Sequence, residues 1–146
     1  MRQLTILLVE DNPRDVRLTQ RAFAQADMSH DLRVVRDGDE ALDYLHREGQ
    51  YKEPQLSPRP DLILLDLNLP RMNGHELLDF LKQDQRFRQI PIIVLTTSGR
   101  PDDVRLAYEA GANAYLLKPV EFARFTDVME QLGKFWLELV ELPPET

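Results

Sequence analysis

This 146-residue chain predicts a doubly wound α/β fold. Apolar runs of strand length alternate with stretches of helical length, five of each, and the strongest runs are apolar on consecutive residues. Consecutive apolar residues mark strands covered on both faces, the condition of a parallel sheet with helices above and below it.

The first strand reads Leu4, Thr5, Ile6, Leu7, Leu8, Val9, and ends in Glu10 and Asp11. Asn12 and Pro13 then open a helix. Asn is a good N-cap, Pro suits the first helical position, and Asp15 falls in the first turn, where a negative charge meets the positive end of the helix dipole. Val16, Phe23 and their apolar neighbours make one face through about Ala26. Leu32, Arg33, Val34 and Val35 form a weaker second strand, after which Asp37 and Gly38 lead into a helix carrying Ala41, Leu42 and Leu45. Residues 47–60, with Pro54, Pro58 and Pro60, read as an extended surface excursion. The third strand, Leu62 to Leu65, stops at Asp66, and Met72, Asn73 and Gly74 precede a helix with Leu77, Leu78 and Leu81. The fourth strand, 91–95, ends in Thr96 and Thr97. Its helix begins near Pro101 and stops at Gly111, a left-handed C-cap. Ala114, Tyr115, Leu116 and Leu117 make a weaker fifth strand ending in Lys118 and Pro119, and a last helix runs as far as about Leu139. The tail from Pro143 to Thr146 is expected to fray.

Composition limits the function classes. No run approaches the ~18 apolar residues of a membrane span, the amino terminus does not read as a signal peptide, and there is no cysteine. Disulfides, thiolate metal sites and cysteine nucleophiles are therefore excluded, and the expected location is the cytoplasm. The net charge of −7, with 25 Asp and Glu against 18 Lys and Arg, argues against nucleic acid as a partner, since that affinity leans on clustered cations.

In doubly wound sheets function gathers at the carboxyl ends of the strands. Those ends carry Glu10, Asp11, Asp66, Thr96 and Lys118. Three acids, a hydroxyl and a lysine on one rim suit a hard divalent cation, which takes oxygen ligands. The cation and Lys118 could neutralise a phosphoryl group to which Thr96 donates, and a carboxylate can itself accept that group as an acyl phosphate. Singly, each residue has a simpler reading: polar turn residues capping a helix, a loop acid, a β-branched strand end, a solvated lysine. Their convergence on different strand ends of one sheet is what weighs against those readings.

The chain resembles the receiver domain of two-component response regulators. The matching segments are Leu7 to Asn12, Asp61 to Pro70, Met72-Asn73-Gly74, Ile93 to Thr97, Gly111-Ala112 and Tyr115 to Pro119. The resemblance covers residues 4–132 or so and implies a flavodoxin-like five-stranded sheet in the order 2-1-3-4-5. It further implies that Asp66 is the phosphoacceptor and Asp11 a direct Mg2+ ligand. Glu10 would act alongside, often through water, and Asn68 would give the metal its backbone carbonyl while its side chain influences water access; Mn2+ or Ca2+ can stand in for Mg2+. Thr96 and Lys118 would hold the phosphoryl oxygens, with a cis peptide before Pro119. Thr96 and Tyr115 would act as the switch, repacking the face formed by helix four, strand five and helix five.

Two features exceed a generic receiver: the 47–60 excursion, and the apolar ending with Phe135, Trp136, Leu139 and Val140. Left in solvent, that ending would make a large apolar patch, so it folds back on the domain or enters a partner. Homodimerisation through Phe135, Trp136 and Leu139 on the switch face is the expectation. Together these features resemble the stand-alone regulators that partner bacterial and cyanobacterial phytochromes, which implies a light-sensing histidine kinase docking on helix one and the loop after Pro119. Output would pass to an unidentified downstream protein from a single domain, 1–146, whose core is about 4–132. Two other classes stand beside this reading. A magnesium-dependent phosphatase or phosphotransferase would use Asp66 as nucleophile, but such enzymes usually carry an acid where this chain has Asn68. A phosphorylation-independent binding module would not need the full set of Asp11, Asp66, Thr96 and Lys118.

Overall fold

Strand β1, Leu4–Val9, sits where the sequence places it, and its five inner residues are buried because helices cover both of its faces. The computed structural model describes residues 3–25 and 30–144. The expected helix end at Ala26 and the tail residues Glu145 and Thr146 lie outside the described residues. Around β1, five parallel strands run in the order β2-β1-β3-β4-β5, with β2 at His30–Val35, β3 at Leu62–Leu65, β4 at Ile92–Thr96 and β5 at Ala114–Leu117. The order reverses between β1 and β3, whose carboxyl ends pair in register, Val9 opposite Leu65. That reversal opens the crevice in which such sheets place their sites.

Alternation along the central strands divides the core into two layers. Leu7, Val9, Ile63, Leu65 and Val94 pack under α2 (Gly38–His46), α3 (Gly74–Gln83) and α4 (Pro101–Ala110). Ile6, Leu8, Leu62, Leu64 and Leu95 pack under α1 (Pro13–Gln25) and α5 (Phe122–Gly133), against Phe23, Phe125 and Met129.

Caps fix where the helices start. Asn12 Oδ1 accepts the backbone N–H of Arg14 at 2.9 Å and of Asp15 at 3.3 Å, and Asp37 and Asn73 cap α2 and α3 in the same way. Gly111 closes α4 at φ 109°, in the left-handed region.

The 47–60 excursion is pinned rather than extended. Two short 3-10 turns, Gly49–Tyr51 and Pro54–Leu56, shape it. The Tyr44 hydroxyl donates to the Pro58 carbonyl at 2.7 Å, and the buried Ser57 hydroxyl donates to the Tyr51 carbonyl at 3.0 Å.

Helix α5 continues into a wider π-type segment, Lys134–Leu139. Trp136 and Leu137 pack on the α1/α5 layer, while Phe135 and Leu139 stay 53% and 75% exposed. The apolar ending therefore folds back with one half of its side chains and presents the other. Pro143 and Pro144 then line a small cleft with Pro60, Asp61, Ile90 and Pro91 at the amino ends of β3 and β4.

Candidate functional site

The register of β1, β3 and β4 decides the site. Asp66 N–H donates to the Val9 carbonyl at 3.1 Å, which sets Asp66 and Glu10 side by side just beyond the paired strand ends. Across β4, Lys118 N–H donates to the Thr96 carbonyl at 2.8 Å. The sheet thus brings Glu10, Asp11, Asp66, Thr96 and Lys118 to one rim, as the sequence predicts.

Glu10, Asp11 and Asp66 each offer a carboxylate oxygen, and these oxygens lie within 4.8 Å of one another. Glu10 and Asp66 are buried; Asp11 is exposed. An all-oxygen set with one open side fits Mg2+ or Mn2+, which take carboxylates and keep waters. These residues would hold the ion.

Lys118, whose side chain is only 5% exposed, stretches its ammonium into this set. It donates to Glu10 Oε1, to Asp15 Oδ2 at 2.9 Å and to Asp66 Oδ2 at 3.1 Å. Burial alone would lower its pKa, but the hydrogen bonds and charges of Glu10, Asp15 and Asp66 outweigh burial and hold it protonated. The Glu10 carboxyl is pushed up to about 7, first by burial and then by the Asp66 charge, against the pull of Lys118.

Asn68 lies at the mouth. Its N–H donates to Asp66 Oδ1 at 3.1 Å, and its side-chain amide reaches Thr96 Oγ1 at 3.5 Å. Thr96 is fully buried. Tyr115 is half-buried against the α2–α4 layer, and its hydroxyl donates to the Ser98 carbonyl at 2.7 Å, on the loop that follows Thr96.

Three features differ from what the sequence suggests or escape it. The Lys118–Pro119 peptide is not cis, because no described peptide bond is. The trans form is the intrinsically preferred one, and from it Lys118 already reaches both Glu10 and Asp66. Asp15, in sequence only a favourable first-turn acid, is a member of the site. Finally, Ser98 donates to Asp103, whose other oxygen lies 3.4 Å from His75 Nε2. The Ser98 hydroxyl, with His75 behind it, holds the Asp103 carboxyl below the usual range. Asp15 and Asp103 carry no motif of their own: both look like ordinary acids in a first helical turn.

Comparison with known proteins agrees with this geometry. Residues 6–130 match the response regulator receiver domain. The response regulator Rcp1 of a Synechocystis species is 44% identical over 138 residues, covering 94% of this chain and 92% of that one. Among solved structures, the phosphorylated cyanobacterial phytochrome response regulator RcpA superposes with a TM-score of 0.92 at 40% identity, over 98% of this chain and all of that one. The Mn2+-bound form of Rcp1 gives 0.89 at 42% identity, over 97% and 99%.

Proposed function

This chain belongs to the response regulator receiver domain family, and on that premise we propose that it is a phosphorylation-switched binding protein whose phosphoacceptor is Asp66. The observation that carries the assignment is the contact of one buried ammonium, Lys118, with Asp66 and Glu10, in the crevice where Glu10, Asp11 and Asp66 converge.

In the proposed reaction an Asp66 carboxylate oxygen attacks the phosphorus of a phosphohistidine. The new O–P bond forms as the P–N bond breaks, and the departing imidazole nitrogen takes up a proton. Lys118 and Thr96 donate to the phosphoryl oxygens. A bound Mg2+ or Mn2+ supplies charge neutralisation for the phosphoryl group; Glu10, Asp11, Asp66 and the Asn68 carbonyl would hold it. Asn68, at the mouth, governs how water reaches the acyl phosphate.

The switch proposed here couples Thr96 to Tyr115 through the loop at Ser98. Phosphorylation adds roughly 1.5 to 2 negative charges, which draws the Thr96 hydroxyl and biases the face of α4, β5 and α5. That face exposes Leu106, Leu117, Val120 and Phe122, so it offers apolar surface to a partner. The kinship with phytochrome response regulators supports a sensor histidine kinase, a phytochrome, as phosphodonor. Exposed Phe135 and Leu139 support homodimerisation, here through the ending rather than through Trp136, which is packed on its own domain. Among the described residues no helix is long and apolar enough to cross a membrane; the cytoplasm is the proposed location, and the chain the proposed single domain.

The test is intact mass after incubation with a small phosphodonor and Mg2+. One added phosphoryl group on the wild type, absent in Asp66→Asn, is expected. Multiple turnover of a phosphate ester would instead make the protein a phosphatase, and no adduct from any donor or kinase would make it a phosphorylation-independent module.

A further inference from the structure

An ammonium group has three N–H donors and no acceptor. Lys118 directs them at three different carboxylates: Glu10, Asp15 at 2.9 Å and Asp66 at 3.1 Å. Its donors are therefore committed, yet phosphorylation of Asp66 requires Lys118 to donate to a phosphoryl oxygen. The phosphoryl group arriving on Asp66 must therefore compete with the other bonded carboxylates for this ammonium. Glu10 and Asp66 belong with Asp11 to the group of oxygens that suits a cation, and Asp15 stands outside that group.

Asp15 is also the partner most easily let go. Its side chain is 14% exposed, against 2% for Glu10, and its other carboxylate oxygen faces Arg14 at 3.7 Å. Released from Lys118, it keeps Arg14 and water. Glu10, released, would lose a hydrogen bond at a fully buried carboxyl that water does not replace, which costs more than the same loss at Asp15. The position of Asp15 is set independently of Lys118: its N–H is capped by Asn12 at 3.3 Å and its carbonyl accepts the Thr19 hydroxyl at 2.8 Å.

We infer that Asp15 is a positioning residue that competes with the phosphoryl group for the Lys118 ammonium, and so sets how fast Asp66 is phosphorylated. The inference rests on Asp66 being the phosphoacceptor. The Asp15 carboxylate and an incoming phosphoryl oxygen are rival acceptors for one N–H. Asp15 also adds a negative charge that an anionic donor must approach. Both effects act in the same direction, so removing the charge speeds phosphorylation.

The experiment follows adduct formation by intact mass, with acetyl phosphate and saturating Mg2+, for the wild type, Asp15→Asn, Asp15→Ser, Asp15→Glu and Asp66→Asn. The two neutral variants are expected to react about threefold faster or more, and Asp15→Glu, which restores the charge, to stay within about twofold of the wild type. A second readout is binding of beryllium trifluoride with Mg2+, measured by calorimetry; this phosphoryl mimic needs the same N–H and is expected to bind the neutral variants about threefold tighter or more. If Asp15 served only the start of α1, the neutral variants would lose thermal stability with neither gain. Unchanged or slower labelling of both neutral variants, beside a wild type that labels, overturns the inference. A wild type that takes no phosphoryl group overturns the functional reading instead.

Discussion

A β-carbon on Gly74 would stand 2.5 Å from the Asp66 carbonyl oxygen and 2.5 Å from Leu67 Cα. The start of α3 thus lies directly against the main chain that carries Asp66, and the Gly74 N–H donates to the Leu67 carbonyl at 3.0 Å. Both obstructing atoms are backbone, so no side-chain rotation relieves the clash. Gly74→Ala is expected to destabilise the protein by about 2 to 3 kcal/mol, the upper range for overpacking, and to slow adduct formation by displacing Asp66. Urea unfolding and intact mass measure the two effects. Wild-type values for both would show that α3 can shift without moving Asp66.

Glu10 gives the site a pH dependence. Its folded pKa is raised from 4.5 to about 7, so within that window the metal-free folded state keeps a proton that the unfolded chain has lost. Stability of the metal-free protein therefore falls as pH rises from about 4.5 to 7 and levels off above. Cation binding has the opposite sign, because the ligand must be ionised. Mg2+ affinity is expected to climb up to about tenfold per pH unit below the Glu10 pKa, one proton being released per ion. Calorimetric titrations at several pH values test this, and Glu10→Gln should flatten the profile. A wild-type affinity that does not change with pH would refute it.

Tyr115 ties β5 to the loop after Thr96 by a single hydrogen bond, hydroxyl to Ser98 carbonyl. Tyr115→Phe removes it and is expected to cost about 1 kcal/mol, with Asp66 labelled at nearly the wild-type rate. Amide exchange at residues 97–100 should quicken in the variant. In the wild type phosphorylation should alter exchange there and along α4, and in the variant that response should shrink. An equal response in both would detach Tyr115 from the switch.

The apolar ending separates dimerisation from folding. Phe135 and Leu139 are exposed whereas Trp136 is packed. The double change Phe135→Glu, Leu139→Glu is expected to convert a dimer to a monomer by light scattering while leaving thermal unfolding nearly unchanged. A variant that stays dimeric would move the interface elsewhere, and a monomeric wild type would end the proposal.

The central strands announce themselves because β1, β3 and β4 are buried along nearly all their length, which leaves continuous apolar runs. β2 and β5 lie at the sheet edges, half-exposed, so their runs are weaker, and β2 begins two residues earlier than its apolar stretch, at His30. Glu10, Asp66, Thr96 and Lys118 are legible as site residues because each immediately follows or ends a strand. Asp15 is not: it reaches the site from the first turn of α1, and nothing in its neighbours tells it from a helix-dipole acid. The 47–60 excursion looked loose because its prolines are visible in sequence, whereas its anchors, Tyr44 to Pro58 and Ser57 to Tyr51, are side-chain contacts.

The parallel topology has a consequence for synthesis. Glu10 and Lys118 are 108 residues apart, and β5 is both an edge strand and the last one made. A nascent chain with β1 to β4 already exposed from the ribosome carries the Glu10, Asp11 and Asp66 carboxylates but lacks the lysine that neutralises them. On the proposed role of Lys118, the site is complete only once the fifth strand has been made.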